Sequence, residues 1–214
     1  MDFRNAKELL KVCQEQNLSI SAVMLQRELT EGEQDPEETD RKMDRVLEIM
    51  KSAASTPIHT PVKSMGGLIG GEAKKISDHK DAGKGLCGDL LERAVIYAMA
   101  TLETNASMGV IVASPTAGSA GIVPGLLLAL LETYELSDEQ IKQGLYNASA
   151  IGYLAMRNAT VAGAVGGCQA EVGIASAMAA SATVELMGGS PEQSLAAAST
   201  VLMNMLGLVC DPVG

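Results

Sequence analysis

Two cysteines stand in surroundings that suit a metal ligand. Cys168 follows two glycines in Gly-Gly-Cys-Gln-Ala-Glu-Val-Gly, and Cys210 lies in Gly-Leu-Val-Cys-Asp-Pro-Val-Gly. Soft metal ions and iron–sulfur clusters are bound by cysteine thiolates, and neighbouring glycines let the backbone approach the bound group closely. Two thiolates do not complete a four-iron cluster, and the chain has no Cys-x-x-Cys motif. Taken singly, a cysteine is more often a small buried apolar residue than a ligand.

The other two cysteines and both histidines carry weaker signals. Cys13 lies in a helical stripe of Leu and Val residues, which predicts a position in the core. Cys87 lies in Gly-Leu-Cys-Gly at the edge of a glycine-rich region, and its role stays open. His59 and His79 fall in that same region, where we expect them to be solvated.

The segment Ser-Pro-Thr-Ala-Gly-Ser-Ala-Gly at residues 114–121 offers several hydrogen-bond donors in a short space. Its hydroxyls and flexible backbone N–H groups stand before a predicted helix, an arrangement that suits carboxylate or phosphate binding. On the motif alone, a simple helix break with serine caps is favoured over a binding site.

A second glycine-rich segment runs from Ser64 to Lys75, as Ser-Met-Gly-Gly-Leu-Ile-Gly-Gly-Glu-Ala-Lys-Lys. It lacks the Gly-Lys-Ser/Thr ending of a phosphate-binding P-loop and has no strand before it, so nucleotide binding is rejected. A flexible hinge and an anion-binding loop remain equally good interpretations.

Helices are predicted to position these segments. Asp35 is a candidate N-cap with Pro36 at the first helical position, and we expect this helix to end before Thr56. Residues 57–88 break the pattern with two prolines and seven glycines, and helical periodicity resumes at about Asp89. Capping boxes predict further helix starts at Ser137 and Ser190.

The composition favours an all-α fold, a compact bundle of closely packed Ala/Gly-rich helices with a long Gly/Pro loop. Aromatic residues are only 2% of the chain, Met and small residues are abundant, and no convincing strand period is present. Of the 42 charged residues, 32 lie in positions 1–104. We therefore predict amphipathic helices over 1–56 and a second helical region over 57–214.

Charge and hydropathy narrow the class of protein. A net charge of −10 argues against a nucleic-acid partner, because phosphate binding needs clustered Lys and Arg. The apolar runs are shorter than the roughly 20 residues that cross a membrane. The charged N-terminal sequence does not resemble a signal peptide, and four scattered cysteines do not resemble a secreted disulfide framework. The predicted location is the cytoplasm.

Over residues 40–214, the order of these motifs resembles the alpha chain of the bacterial iron–sulfur-dependent L-serine dehydratase family. The resemblance implies an oxygen-sensitive [4Fe–4S] cluster with three cysteine ligands, of which Cys168 and Cys210 match the first two. The third is expected beyond Gly214, so the resemblance implies that residues 57–214 are a catalytic region that binds cluster and substrate and is incomplete at its C-terminus. We expect this chain alone to hold no intact cluster and to be inactive. The implied assembly is an oligomer that contains a beta subunit or a fused beta domain.

The implied reaction converts L-serine to pyruvate and ammonia, a step of amino-acid degradation that feeds gluconeogenesis. The open iron of the cluster would act as a Lewis acid on the substrate. The candidate residues for holding the substrate carboxylate are Ser114, Thr116, Gly118 and Ser119, with Lys74 as a charge partner. The catalytic base and the preference for serine over threonine stay open.

Two alternatives compete with this interpretation. A pyridoxal-phosphate serine/threonine dehydratase would catalyse the same net reaction, but it needs an α/β fold and a Schiff-base lysine. A helical binding or scaffold module would use its cysteines only as core residues. Iron binding by Cys168 separates the cluster enzyme from both alternatives.

Overall fold

The computed structural model describes residues 2–32 and 35–208, and these fold into ten α-helices without a β-strand. The all-α prediction is confirmed. The helices are α1 (Ala6–Gln16), α2 (Ile20–Glu31), α3 (Pro36–His59), α4 (Glu72–Asp81), α5 (Asp89–Ala106), α6 (Ile122–Thr133), α7 (Asp138–Asn158), α8 (Gly163–Gly166), α9 (Cys168–Leu186) and α10 (Pro191–Met205).

The chain divides into two compact units. Unit 1 comprises Met1–Asp44 and Glu139–Gly214, and unit 2 comprises Arg45–Asp138. These units follow backbone packing, whereas the division predicted after residue 56 is one of function and stays a prediction.

Unit 1 has a hydrophobic core at its N-terminal end, which we call the N-terminal core. Short polar side chains begin the helices around it: Asn5 accepts the N–H of Glu8 at the start of α1, and Ser19 accepts the N–H of Ala22 at the start of α2. The buried members of the N-terminal core are Phe3, Leu9, Cys13, Ile20, Val23, Met24, Tyr146 and Ala150. In the same unit α9 packs along α10, whose predicted capping box at Ser190 is confirmed.

Unit 2 is built on α5, which packs against both α4 and α6. Two glycines allow α6 to approach α5 very closely. A Cβ atom at Gly121 would lie 2.5 Å from the Ala98 carbonyl oxygen, and one at Gly125 would lie 2.9 Å from the Ala98 Cβ. Any larger residue would push the helices apart. The prediction of closely packed helices with small residues is confirmed at this contact.

The predicted end of α3 before Thr56 is wrong, because the helix continues through Pro57 to His59. A proline cannot donate the backbone hydrogen bond to the residue four positions earlier. The carbonyl left without that bond belongs to Ala53, and the hydroxyl of Thr104 on α5 donates to it at 2.8 Å. Pro57 is itself buried. Tertiary packing therefore compensates for the proline.

The predicted loop over residues 57–88 is not continuous, because α4 occupies its middle. Glu, Ala and Lys at the start of α4 favour a helix strongly enough to interrupt the loop. His59 and His79 lie on α3 and α4 rather than in loops, and both are exposed as predicted. The predicted helix start at Asp89 is confirmed.

None of the helices within residues 2–32 and 35–208 combines the length and the apolar character that crossing a bilayer requires.

Candidate functional site

Residues 114–121, which we call the Ser-Pro-Thr loop, form a tightly bonded turn before α6 in unit 2. The Ser119 hydroxyl donates to the Ser114 carbonyl oxygen at 3.1 Å and lies 3.2 Å from the Thr116 hydroxyl. The Ser114 N–H donates to the Thr116 carbonyl oxygen across a cis Ser114–Pro115 peptide bond. These bonds bring three of the predicted substrate-binding residues into one small structure.

Exposure differs sharply within this loop. Ser114 and Ser119 are 5% and 1% exposed, so their side chains serve mainly to hold the loop's shape. Gly118 is exposed and Thr116 is partly exposed, and both lie close before the N-terminus of α6. The positive end of a helix dipole and backbone N–H groups favour an anion at such a position. The accessible part of this loop can therefore interact with a carboxylate.

Residues 64–71, which we call the glycine loop, form an ordered turn in the same unit. Ser64 and Ile69 close it: the Ser64 N–H donates to the Ile69 carbonyl oxygen at 2.9 Å, and the Ile69 N–H donates to the Ser64 hydroxyl at 3.2 Å. Gly70 has a positive φ, and a Cβ there would lie 2.1 Å from the Val62 carbonyl oxygen. The apolar tip is exposed at Met65 and Leu68.

The last turn of α5 lies between these two loops and contacts both. Glu103 accepts the Ala73 N–H at 2.8 Å just after the glycine loop. The Asn105 side-chain amide donates to the Ala117 carbonyl oxygen in the Ser-Pro-Thr loop at 3.0 Å. The Met65 N–H donates to the carbonyl oxygen of Ala106. This turn is not among the residues predicted from the sequence, although polar residues that end an otherwise apolar helix are a detectable signal.

Lys74, the predicted charge partner of the substrate, lies on the first turn of α4. Its ammonium group is paired with the Asp78 carboxylate one turn later, at 2.7 and 2.9 Å. Asp78 is exposed and Lys74 is partly exposed, so this pair contributes little to stability and can open at low cost.

Cys168 is an exposed residue at the first position of α9 in unit 1. Gly167 before it has a φ of 78°, a backbone conformation that glycine adopts without strain. A helix N-terminus presents free backbone N–H groups and a positive dipole end, which stabilise a thiolate. An apolar pocket of about 570 Å³ is lined by Gln169, Ala170 and Gly173 from the same helix start.

Cys13 has the opposite environment and is confirmed as a core residue. It is 2% exposed, and its pKa is raised to about 11, first by burial and then by the negative charges of Glu185 and Glu192. A thiol held protonated in this way is a poor metal ligand. Cys87 is exposed, and its backbone N–H donates to the Glu92 carboxylate at 3.0 Å. Nothing in that contact assigns a role to its sulfur.

The donor chemistry at Cys168 fits a cluster ligand. Cys210, the second predicted ligand, lies outside the described residues. Within residues 2–32 and 35–208 there is no group of three His, Cys, Asp or Glu side chains arranged to hold a metal ion. The described part of the chain therefore supplies one candidate cluster ligand.

A pocket of about 450 Å³ in unit 2 contains charged groups that the sequence analysis did not select. The Tyr97 hydroxyl donates to Glu132 at 2.5 Å, and Arg93 bonds both Glu132 and Asp89. Burial, followed by the interaction with Glu132, raises the pKa of Tyr97 to about 12. Lys80 also pairs with Asp89 at 2.7 Å, so the two cations and two carboxylates of this network compensate one another and leave no net charge to attract a ligand.

Comparison with known proteins identifies relatives along nearly the whole chain. The family model described as serine dehydratase alpha chain matches residues 15–214. The probable L-serine dehydratase alpha chain of Bacillus subtilis (strain 168) is 48% identical over 211 residues, covering 99% of this chain and 70% of that protein. The L-serine dehydratase alpha chain of Peptoniphilus asaccharolyticus is 43% identical over 211 residues, covering 99% of this chain and 72% of its own length.

A longer relative covers the same region. The L-serine dehydratase of Streptomyces coelicolor is 38% identical over 218 residues, which are 99% of this chain and 47% of that protein. This chain therefore spans about half of the longer relative and somewhat more than two thirds of the two alpha chains.

Proposed function

This chain belongs to the serine dehydratase alpha chain family, and we propose that it is the alpha subunit of an L-serine dehydratase. The observation that carries the proposal is the family match over residues 15–214, a range that includes the glycine loop, the Ser-Pro-Thr loop and Cys168. The reaction is a lyase reaction that converts L-serine to pyruvate and ammonia. It is a step of amino-acid degradation, and its pyruvate can enter gluconeogenesis.

In this proposal Cys168 and Cys210 are two ligands of a [4Fe–4S] cluster. When bound, such a cluster supplies an iron that acts as a Lewis acid. The exposed position of Cys168 at the start of α9 supports its part in the assignment, because thiolates are the ligands that iron–sulfur clusters require. The third ligand expected beyond Gly214, and the inactivity of this chain alone, stay predictions.

The Ser-Pro-Thr loop is proposed to hold the substrate carboxylate. Gly118 and Thr116 are the accessible members and would donate backbone or hydroxyl hydrogen bonds. Ser114 and Ser119 keep the loop in shape through their internal bonds. Lys74 would add positive charge after its exposed pair with Asp78 opens. A carboxylate held in this way keeps the substrate's α-carbon in one orientation during elimination.

The elimination breaks the Cα–H bond and the Cβ–O bond of L-serine and forms a Cα=Cβ double bond. Water leaves, and the resulting aminoacrylate tautomerises and hydrolyses to pyruvate and ammonia. No residue of this chain is assigned as the base that accepts the α-proton. A beta subunit is the proposed partner and the cytoplasm the proposed location, and we expect the enzyme to be an oligomer.

The structure argues against the pyridoxal-phosphate alternative. That interpretation requires alternating strands and helices, and residues 2–32 and 35–208 contain no strand. The scaffold alternative remains as an outcome of the following experiment.

The test compares Cys168→Ser with Cys13→Ala in the assembled enzyme, reconstituted anaerobically with iron and sulfide. We expect Cys168→Ser to abolish the visible absorbance of the cluster and to lower L-serine deamination at least about 100-fold, since a serine hydroxyl is a much poorer ligand for iron than a thiolate. Cys13→Ala is the matched control, because Cys13 is buried in the core of the same unit, and we expect it to keep the cluster.

Two results would contradict the proposal. A complete cluster in Cys168→Ser would remove Cys168 from the ligand set. A wild-type enzyme that binds no iron and does not consume L-serine would favour the scaffold alternative.

A further inference from the structure

Glu103 is a buried carboxyl group in the last turn of α5. It is 2% exposed, and one carboxyl oxygen accepts the Ala73 N–H at 2.8 Å. The other oxygen is buried and has no hydrogen-bond partner among the described residues. Burying a carboxyl group is costly unless it meets a specific need, and an unpartnered buried oxygen calls for an explanation.

The start of α4 needs a hydrogen-bond acceptor from outside the helix. The first N–H groups of a helix have no partner within the helix, and the N-cap side chain normally accepts one of them. At α4 the N-cap is Gly71, which has no side chain and a φ of 90°. A side chain that could cap would be strained in that conformation. Glu103 supplies the missing acceptor from α5, 30 residues along the chain.

Glu72, the first residue of α4, bonds the end of the glycine loop. The Gly70 N–H donates to the Glu72 carboxylate at 2.6 Å, and this bond is the main cause of the lowered pKa of Glu72. The start of α4 is therefore held by two hydrogen bonds, one to Glu103 on α5 and one to the glycine loop.

The same helical turn also bonds the Ser-Pro-Thr loop. Asn105 donates to the Ala117 carbonyl oxygen, and the Ala106 carbonyl oxygen accepts the Met65 N–H from the glycine loop. Residues 103–106 thus join both loops and the start of α4 by hydrogen bonds. Any displacement of this turn moves the two loops relative to each other.

We propose that Glu103 is a positioning residue for the proposed reaction. It caps α4 from α5 and thereby keeps the glycine loop and the Ser-Pro-Thr loop in a fixed relation. The inference rests on the proposed function only for what the two loops bind. The coupling of the loops is a property of the fold and can be measured without activity.

The test uses three substitutions in the assembled enzyme. Glu103→Gln keeps a carbonyl oxygen that can accept the Ala73 N–H. Glu103→Leu removes this acceptor at similar volume. Thr101→Val is the control, because Thr101 is 1% exposed on the same helix and its hydroxyl donates only within that helix, to the Tyr97 carbonyl oxygen.

Amide hydrogen exchange and steady-state kinetics are measured for each variant. We expect Glu103→Leu to raise exchange in residues 64–73 and 114–121 by about tenfold or more and to raise the KM for L-serine by a similar factor. Glu103→Gln and Thr101→Val should stay within about threefold of the wild type in both measurements. A general loss of stability would raise exchange along the whole of α5 in Thr101→Val and Glu103→Leu alike.

Each contrary outcome has a distinct meaning. Unchanged exchange in both loops of Glu103→Leu would overturn the positioning role. A Glu103→Gln variant as impaired as Glu103→Leu would overturn the capping role, because glutamine keeps an acceptor for the Ala73 N–H. Faster exchange as expected, in an enzyme whose wild type does not consume L-serine, would support the coupling and overturn the proposed function.

Discussion

The N-terminal core and the start of α9 place the same residue type in opposite surroundings within unit 1. Cys13 lies 2% exposed among the large side chains of the N-terminal core. Cys168 is exposed at a helix N-terminus beside Gly166 and Gly167. In the N-terminal core, Phe3 packs edge-to-face against Tyr153, with the ring centroids 5.3 Å apart.

This difference shows that exposure of the thiol decides which cysteine can react or bind a metal. Large apolar neighbours exclude water from Cys13 and raise its pKa to about 11. Glycines before Cys168 leave its sulfur accessible, and the helix dipole favours the thiolate. A third region, the last turn of α5 in unit 2, combines burial with a functional side chain at Glu103. In unit 1 the buried cysteine and the proposed ligand are different residues, whereas in unit 2 the buried Glu103 is itself the proposed positioning residue.

The largest expected effect comes from a substitution that disrupts packing in the N-terminal core. Phe3 is fully buried, and Phe3→Ala removes its packing on Tyr153 and leaves a cavity. We expect the free energy of unfolding to fall by about 3–5 kcal/mol, measured by urea denaturation with circular dichroism. Met156→Ala, at a residue 65% exposed on α7, is the control and should change stability by no more than about 0.5 kcal/mol. A loss below about 1 kcal/mol for Phe3→Ala would show that this region is not a tightly packed core.

A second prediction compares the two thiols directly. In iron-free native protein at neutral pH, iodoacetamide should alkylate Cys168 at least about 100 times faster than Cys13, because only the thiolate reacts and the raised pKa of Cys13 keeps it protonated. Peptide mass spectrometry measures both rates in one sample. In urea the two rates should converge within about threefold. Similar rates in the native protein would contradict the contrast between the two regions.

The smallest expected effect concerns the polar edge of the N-terminal core. Asp2 accepts hydrogen bonds from Tyr153, Arg157 and Arg27, and the Tyr153 hydroxyl is the main cause that lowers its pKa to about 2. Because the pKa is lowered on folding, the contribution to stability is present above the unfolded value near 4. It is lost as the pH falls through about 2.

Asp2→Asn should therefore destabilise the protein at pH 7 by no more than about 0.5 kcal/mol, since the carboxylate is partly exposed and screened by solvent. The difference from the wild type should shrink as the pH falls towards 2, as measured by thermal unfolding over a pH series. A constant difference at all pH values would show that packing, not charge, is responsible.

Much of the fold could be predicted from local sequence. The capping box at Ser190, the helix start at Asp89 and the core position of Cys13 depend on neighbouring residues and were predicted correctly. The end of α3 was predicted wrongly. Pro57 is a strong local signal for a helix end, but the distant Thr104 hydroxyl bonds the carbonyl oxygen that the proline leaves without a partner. The roles proposed for Lys74 and the Ser-Pro-Thr loop come from the resemblance and stay predictions.

Sequence by itself determined the family, the all-α class and the residues that could do chemistry, since helical periodicity, capping and short motifs are encoded within a few neighbouring positions. Only the tertiary structure decided that Glu103 caps α4 across 30 residues, that Thr104 bonds Ala53 across 51, and that one turn of α5 joins both loops. These contacts join α5 to α4, to α3 and to the Ser-Pro-Thr loop, segments that are far apart in sequence, so no local pattern reports them.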